Sequence, residues 1–215
     1  MRKYITEFIG TFFLVFVIGM VVRGGLGSFA PIAIGSVLMV MIFAGGHISG
    51  AHYNPAVTLA VLIRGKISST DAVLYMISQI LGAFVAGLAV TFFFDNMPAK
   101  AAELPNVIKP LLAEFIATFA LAYVVLNVAT AKGNAGNSFY GLAIGFTVLV
   151  MAYAVGSISG AFNPAVAVGA CYMQLNLWSD IWVVLLGSFA GGAVAGIVFN
   201  FLNVEDKPVP PIREN

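Results

Sequence analysis

Apolar residues fall along this chain in long, nearly uninterrupted blocks. A bilayer core of about 30 Å is crossed by roughly 20 helical residues. Six blocks reach or approach that length: Tyr4–Val22, Phe29–Gly45, Asp71–Phe94, Leu111–Thr130, Phe139–Gly156 and Trp178–Asn203. Two further apolar segments, Pro55–Ile63 and Pro164–Tyr172, have nine residues each and cross only half that distance. Irregular backbone at membrane depth is tolerated only where protein buries it or where it lines a water-filled cavity. The pattern therefore predicts an all-α membrane protein with six transmembrane helices and two re-entrant half-helices.

The pattern is also duplicated. Ile5-Thr6-Glu7-Phe8-Ile9-Gly10-Thr11-Phe12 returns as Leu112-Ala113-Glu114-Phe115-Ile116-Ala117-Thr118-Phe119, and Ala33-Ile34-Gly35 as Ala143-Ile144-Gly145. Ile48-Ser49-Gly50-Ala51 returns 110 positions later at Ile158, whereas Asn54-Pro55-Ala56-Val57 returns 109 positions later at Asn163. The second loop is thus one residue shorter, and by this alignment His52 has no counterpart. Asp71, Gly82 and Gly87 pair with Asp180, Gly191 and Gly196. Three full spans per copy force the second copy into the membrane upside down, with a pseudo-two-fold axis in the membrane plane. The expected units are residues 1–98 with half-helix 55–63, residues 99–203 with half-helix 164–172, and a cytoplasmic tail, 204–215. The small-residue pairs Gly82/Ala86, Ala83/Gly87, Gly187/Gly191 and Gly192/Gly196 suit close helix packing.

Composition agrees with a bilayer setting. Of the 215 residues 60% are hydrophobic and 9% charged, and the mean hydropathy is +1.00; a soluble domain carries about 25% charge. The formal net charge of +1 leaves no basic footprint for nucleic acid. A single cysteine, Cys171, excludes an internal disulfide, and its place on the second half-helix suits buried packing. Met1-Arg2-Lys3 precedes an apolar run too long for a secretory signal core, so a retained first span is expected. Placing the N-terminus inside puts Arg2, Lys3, Arg64, Lys66, Lys132, Lys207 and Arg213 inside, and Arg23, Lys100 and Lys109 outside. That bias predicts both termini in the cytoplasm. Phe92-Phe93-Phe94, Trp178 and Trp182 fit an interfacial aromatic belt. The segment Phe94-Asp95-Asn96-Met97-Pro98 closes the third span, and the Pro- and charge-rich Glu205–Asn215 reads as a disordered terminus.

The chemistry centres on two Asn-Pro dipeptides. Asn is a favoured helix N-cap and Pro a favoured first helical residue. If the carbonyl oxygens of Asn54 and Asn163 cap their half-helices, their NH₂ groups are free to donate into a cavity. Two helix N-termini would meet there, each carrying about +0.5 charge. Such a site accepts a water or hydroxyl oxygen and repels cations, hydronium included. Glu7 and Glu114 lie inside apolar spans, where acids face a bundle interior with partners. His47 and His52 share a loop without the further ligands a metal needs, and His47 suits an interior hydrogen-bonding role. No catalytic constellation is present, and the chain calls for no cofactor or metal.

His47-Ile48-Ser49-Gly50-Ala51-His52-Tyr53-Asn54-Pro55-Ala56-Val57-Thr58 closely resembles the first signature loop of the aquaporin (major intrinsic protein) family. Ser157-Ile158-Ser159-Gly160-Ala161-Phe162-Asn163-Pro164-Ala165 is similar to the second. Glu7-x-x-x-Thr11 and Glu114-x-x-x-Thr118 resemble the family's paired motif on helices one and four, and the likeness spans residues 4 to 203. It implies a homotetramer in the plasma membrane with one pore per subunit, passing water or small uncharged solutes such as glycerol, urea or ammonia. It also implies pore motifs at Asn54, Pro55, Ala56, Asn163, Pro164 and Ala165, and His52 in the inner vestibule. Glu7 and Glu114 become structural acceptors for the re-entrant loops. The rival expectation is an ion-coupled secondary transporter that uses those two acids, since inverted repeats with broken helices serve transporters as well.

The chain departs from the family at its outer filter. Family members usually carry Arg directly after the second Asn-Pro-Ala; here the residue is Val166. The other filter positions implied by the resemblance are Ile34, Gly160 and either Met151, counting back from the motif, or Ala152, counting forward from Gly145. Neither candidate is the His of water-selective members, and the Asp common after the motif in glycerol-type members is missing. The filter reads as apolar and uncharged.

Overall fold

The structure, a computed structural model, describes residues 1–95, 101, 103–104 and 106–204. Asn96-Met97-Pro98, Lys100, the boundary between 98 and 99, and the tail from Glu205 onward lie outside the described residues. Eight α-helices follow in order: α1 Arg2–Arg23, α2 Ala30–Ser49, α3 Pro55–Ile63, α4 Ser69–Phe93, α5 Ile108–Thr130, α6 Tyr140–Val155, α7 Pro164–Tyr172 and α8 Ile181–Leu202. There is no strand among the described residues. The two half-helices fall on the segments that their Asn-Pro starts predict.

Five helices, α1, α2, α4, α5 and α8, are long and apolar enough to cross a membrane. The block Phe139–Gly156 is a shorter helix than a full span. Helix α6 has 16 residues, about 24 Å at 1.5 Å per residue, because the chain leaves the helix at Gly156 to begin the loop that carries Asn163.

Helix α1 packs along α4, α5 along α8 and α2 against α6. Close approach depends on absent side chains. A Cβ at Gly82 would lie 2.4 Å from the Phe8 carbonyl oxygen, and one at Gly191 would lie 2.4 Å from that of Phe115. Each half-helix packs more on the far half's last helix than on its own: α3 lies on α8, and α7 lies on α4. The two halves of the chain are therefore interlocked. Large apolar side chains such as Phe13, Ile77, Leu81, Phe146, Leu186 and Ile197 remain exposed on the perimeter, as a lipid-facing wall requires. Phe92 and Phe93 at the end of α4, Trp178 just before α8 and Trp182 in its first turn are exposed as well.

Candidate pore

Both half-helices begin with an extended Asn whose side chain turns back on the first turn. Asn54 Oδ1 accepts from the backbone N–H of Ala56 at 2.8 Å and of Val57 at 3.4 Å; Asn163 Oδ1 accepts from Ala165 at 2.9 Å. The amide nitrogens do something that their sequence does not announce. Asn54 Nδ2 donates to the Phe162 carbonyl at 2.8 Å, and Asn163 Nδ2 donates to the Tyr53 carbonyl at 2.9 Å. The NH₂ groups are thus not wholly free, as the capping argument alone expects: each commits one N–H to the opposite loop. An amide carries two, and both residues line one cavity.

The buried carboxylates build the loops that make this exchange. Glu7 accepts from Ser49 Oγ at 2.6 Å, His52 N at 3.0 Å, Tyr53 N at 2.7 Å and Gln79 Nε2 at 2.8 Å. Glu114 accepts from Ser159 Oγ at 2.5 Å, Ala161 N at 3.0 Å, Phe162 N at 2.8 Å and Ser188 Oγ at 3.2 Å. Tyr53 and Phe162 sit at φ 49° and 50°, a left-handed conformation that costs a non-glycine residue about 1–2 kcal/mol. The carboxylate holds the N–H of each, which leaves its carbonyl to meet the opposite Asn. Gln79 and Ser188 were not singled out from the sequence. The available signal was a polar residue in each third span, 109 positions apart.

These bonds correct the loop alignment. The backbone N–H of His52 and that of Ala161 occupy equivalent places on Glu7 and Glu114. His52 therefore has a backbone counterpart in Ala161, and the extra residue of the first loop falls between Ser49 and His52. Its imidazole alone is unmatched. His47 is exposed, beside Arg2 and Lys3, rather than an interior hydrogen-bonder, because α2 turns that position outward. Cys171 is buried, with Sγ 3.5 Å from the Leu177 carbonyl.

Three cavities share walls. The narrow central one, about 40 Å³, is lined by Asn54, Asn163 and His52 among mostly apolar side chains. Ile18, Ile34, Ala152, Gly160, Ala161 and Val166 line both it and a wider cavity of about 600 Å³ that opens beside Tyr153 and Asn176. His52 and Val125 line both it and a third of about 270 Å³, which opens beside Lys66 and Thr130. Of the two candidates on α6, Ala152 faces this path and Met151 does not line it. No cluster of three metal-ligating side chains occurs among the described residues.

The Major intrinsic protein family model matches residues 1–199 of the chain. The chain belongs to that family. Among similar proteins, "Probable aquaporin NIP4-2" of Arabidopsis thaliana is 35% identical over 225 residues, covering 100% of this chain and 79% of that one. "Glycerol uptake facilitator protein-like 6" of Lactiplantibacillus plantarum is 36% identical over 217 residues, covering 96% and 100%. The crystal structure of the aquaglyceroporin from Plasmodium falciparum aligns with a TM-score of 0.78 at 22% identity, covering 98% of this chain and 97% of that one. That likeness shows the aquaporin-like fold. Major intrinsic proteins are channels and not enzymes.

Proposed function

We propose that the chain is a passive channel for water and small uncharged solutes, with its path running through the three joined cavities. One observation carries this reading: the two half-helices present capped N-termini and two amide donors to a single narrow cavity that joins two wider ones. One water needs about 10–15 Å³ of such space, so the centre, with about 40 Å³, holds a few waters at a time. Among the described residues no charged side chain lines the central or the Tyr153-side cavity. Cation exclusion then rests on the half-helix dipoles and the Asn pair.

Ile34, Ala152, Gly160 and Val166 form the filter in this reading. Two of the four are among the smallest residues, and none offers a side-chain donor, so the opening admits solutes larger than water, such as glycerol, urea and ammonia. The Lys66 side is the cytoplasmic mouth, both termini lie inside, and the working form is a homotetramer in the plasma membrane. Pro55, Ala56, Pro164 and Ala165 serve as rigid starts of the half-helices. A coupled transporter is not favoured: a coupling acid must bind and release its ion, whereas four donors occupy each of the fully buried carboxylates of Glu7 and Glu114.

Stopped-flow light scattering of proteoliposomes tests the reading. Water and glycerol flux should rise linearly with the imposed gradient and ignore proton or sodium gradients. Saturation together with dependence on an ion gradient would refute a passive channel.

A further inference from the structure

Among the described residues His52 is the one imidazole lining the narrow central cavity, and the polar residues behind it form a continuous chain. Gln79 Nε2 donates to Glu7 Oε2 at 2.8 Å and to Thr58 Oγ1 at 3.0 Å, which uses both of its N–H groups. Thr58 Oγ1 donates to the Asn54 carbonyl at 3.0 Å, which uses its only hydrogen. His52 Nδ1 lies 3.1 Å from the same oxygen. An oxygen that has spent its hydrogen and received one bond from Gln79 can only accept again. The bond between His52 and Thr58 must then be donated by the imidazole.

We infer that Glu7, Gln79 and Thr58 act as one polarised hydrogen-bond chain that fixes His52 in the Nδ1–H tautomer, with Nε2 as a hydrogen-bond acceptor for permeating molecules. Glu7 sets the direction, because it accepts from every partner and so holds the Gln79 NH₂ group inward. Thr58 relays that direction to the ring. Tyr75 packs edge-on to the imidazole with centroids 5.1 Å apart, which fixes its plane. Nε2 has no hydrogen-bond partner among the described residues, and a Cβ at Gly50 would come 3.4 Å from it, so glycine there leaves that edge open.

The consequence is a polarity along the path. Asn54 and Asn163 offer donors at the centre and hold a permeant by its oxygen; His52 offers an acceptor towards Lys66 and takes a hydrogen. Water, ammonia, urea and polyols satisfy both in passing. A solute with acceptors only is left with an unmade bond at Nε2, which selects against it. Thr58 and Gln79 are positioning residues here, since neither touches the permeant. The inference rests on the channel reading for its use, but the tautomer itself is measurable without transport.

The test is ¹⁵N NMR of histidine-labelled full-length protein in bilayers, with His47→Gln to assign the two rings. His52 should show a protonated Nδ1 and a bare Nε2. Thr58→Val removes the acceptor and should shift His52 towards the Nε2–H form, while Thr58→Ser should restore the native signature. In proteoliposomes Thr58→Val should lower water flux by about two- to tenfold, the worth of one misplaced hydrogen bond. A wild-type His52 with Nε2 protonated and Nδ1 bare overturns the inference, whatever the flux. So does a tautomer indifferent to Thr58→Val. The native tautomer with no ion-independent water flux would leave the chain of bonds standing and refute the channel reading instead.

Discussion

Asn54 reaches across the molecule to Phe162: its amide donates to that carbonyl at 2.8 Å over a separation of 108 residues, and Asn163 returns the bond to Tyr53. The pair ties the two re-entrant loops together where the half-helices meet. Each Asn thus performs three tasks at once: it caps its own helix, holds the opposite loop and lines the cavity.

Replacing either Asn by Ala should therefore cost more than a cap. The cap alone is worth about 0.5–2 kcal/mol, and the cross-loop bond adds about 1 kcal/mol. Reduced yield of folded protein and weakened cation exclusion are expected for Asn54→Ala and Asn163→Ala, read by size-exclusion profile and by proton flux. Normal yield with unchanged water flux and ion exclusion in both variants would remove the assigned role.

The half-helices were legible because Asn-Pro marks a helix start in local chemistry, and the duplicated motifs declared two of them. The exchange between Asn54 and Phe162 was not legible, since no local pattern reports a bond spanning 108 positions. The equivalence of His52 and Ala161 was hidden for a related reason. Their backbone N–H groups set the register, while their side chains share nothing. Ala152 and Met151 could not be separated by letters, because α6 is apolar on all sides and the shortened loop shifts the count by one.

That last point has a direct check. Ala152→Trp should cut water and glycerol flux at least tenfold by filling the shared wall between two cavities, while Met151→Trp should leave more than half the flux. Equal effects, or a stronger block at residue 151, would reverse the assignment.

The carboxylates make a second pair of predictions. Glu7→Gln or Glu114→Gln turns one accepting oxygen into a donor facing donors, leaving at least one buried group unsatisfied at about 1–3 kcal/mol. Lower thermal stability and yield are expected, with passive flux retained in the protein that folds. A transporter that used these acids would instead keep its stability and lose ion-driven uptake.

Topology is open to labelling. In a Cys171→Ala background, Lys66→Cys should react with an impermeant thiol reagent only from the cytoplasmic side and Lys100→Cys only from outside. Reaction of both from one side would contradict the inverted repeat.

The most direct test of the account concerns Val166, which stands on the wall shared by the central and the Tyr153-side cavities. Val166→Arg introduces a charge and a fork of donors beside about 600 Å³ of open space. Water, glycerol and proton flux should be measured side by side in proteoliposomes of the native protein and this variant. The account predicts that the variant passes several-fold less glycerol relative to water and has a smaller proton leak. Unchanged ratios among all three would show that Val166 does not form the filter and that solute choice is made elsewhere.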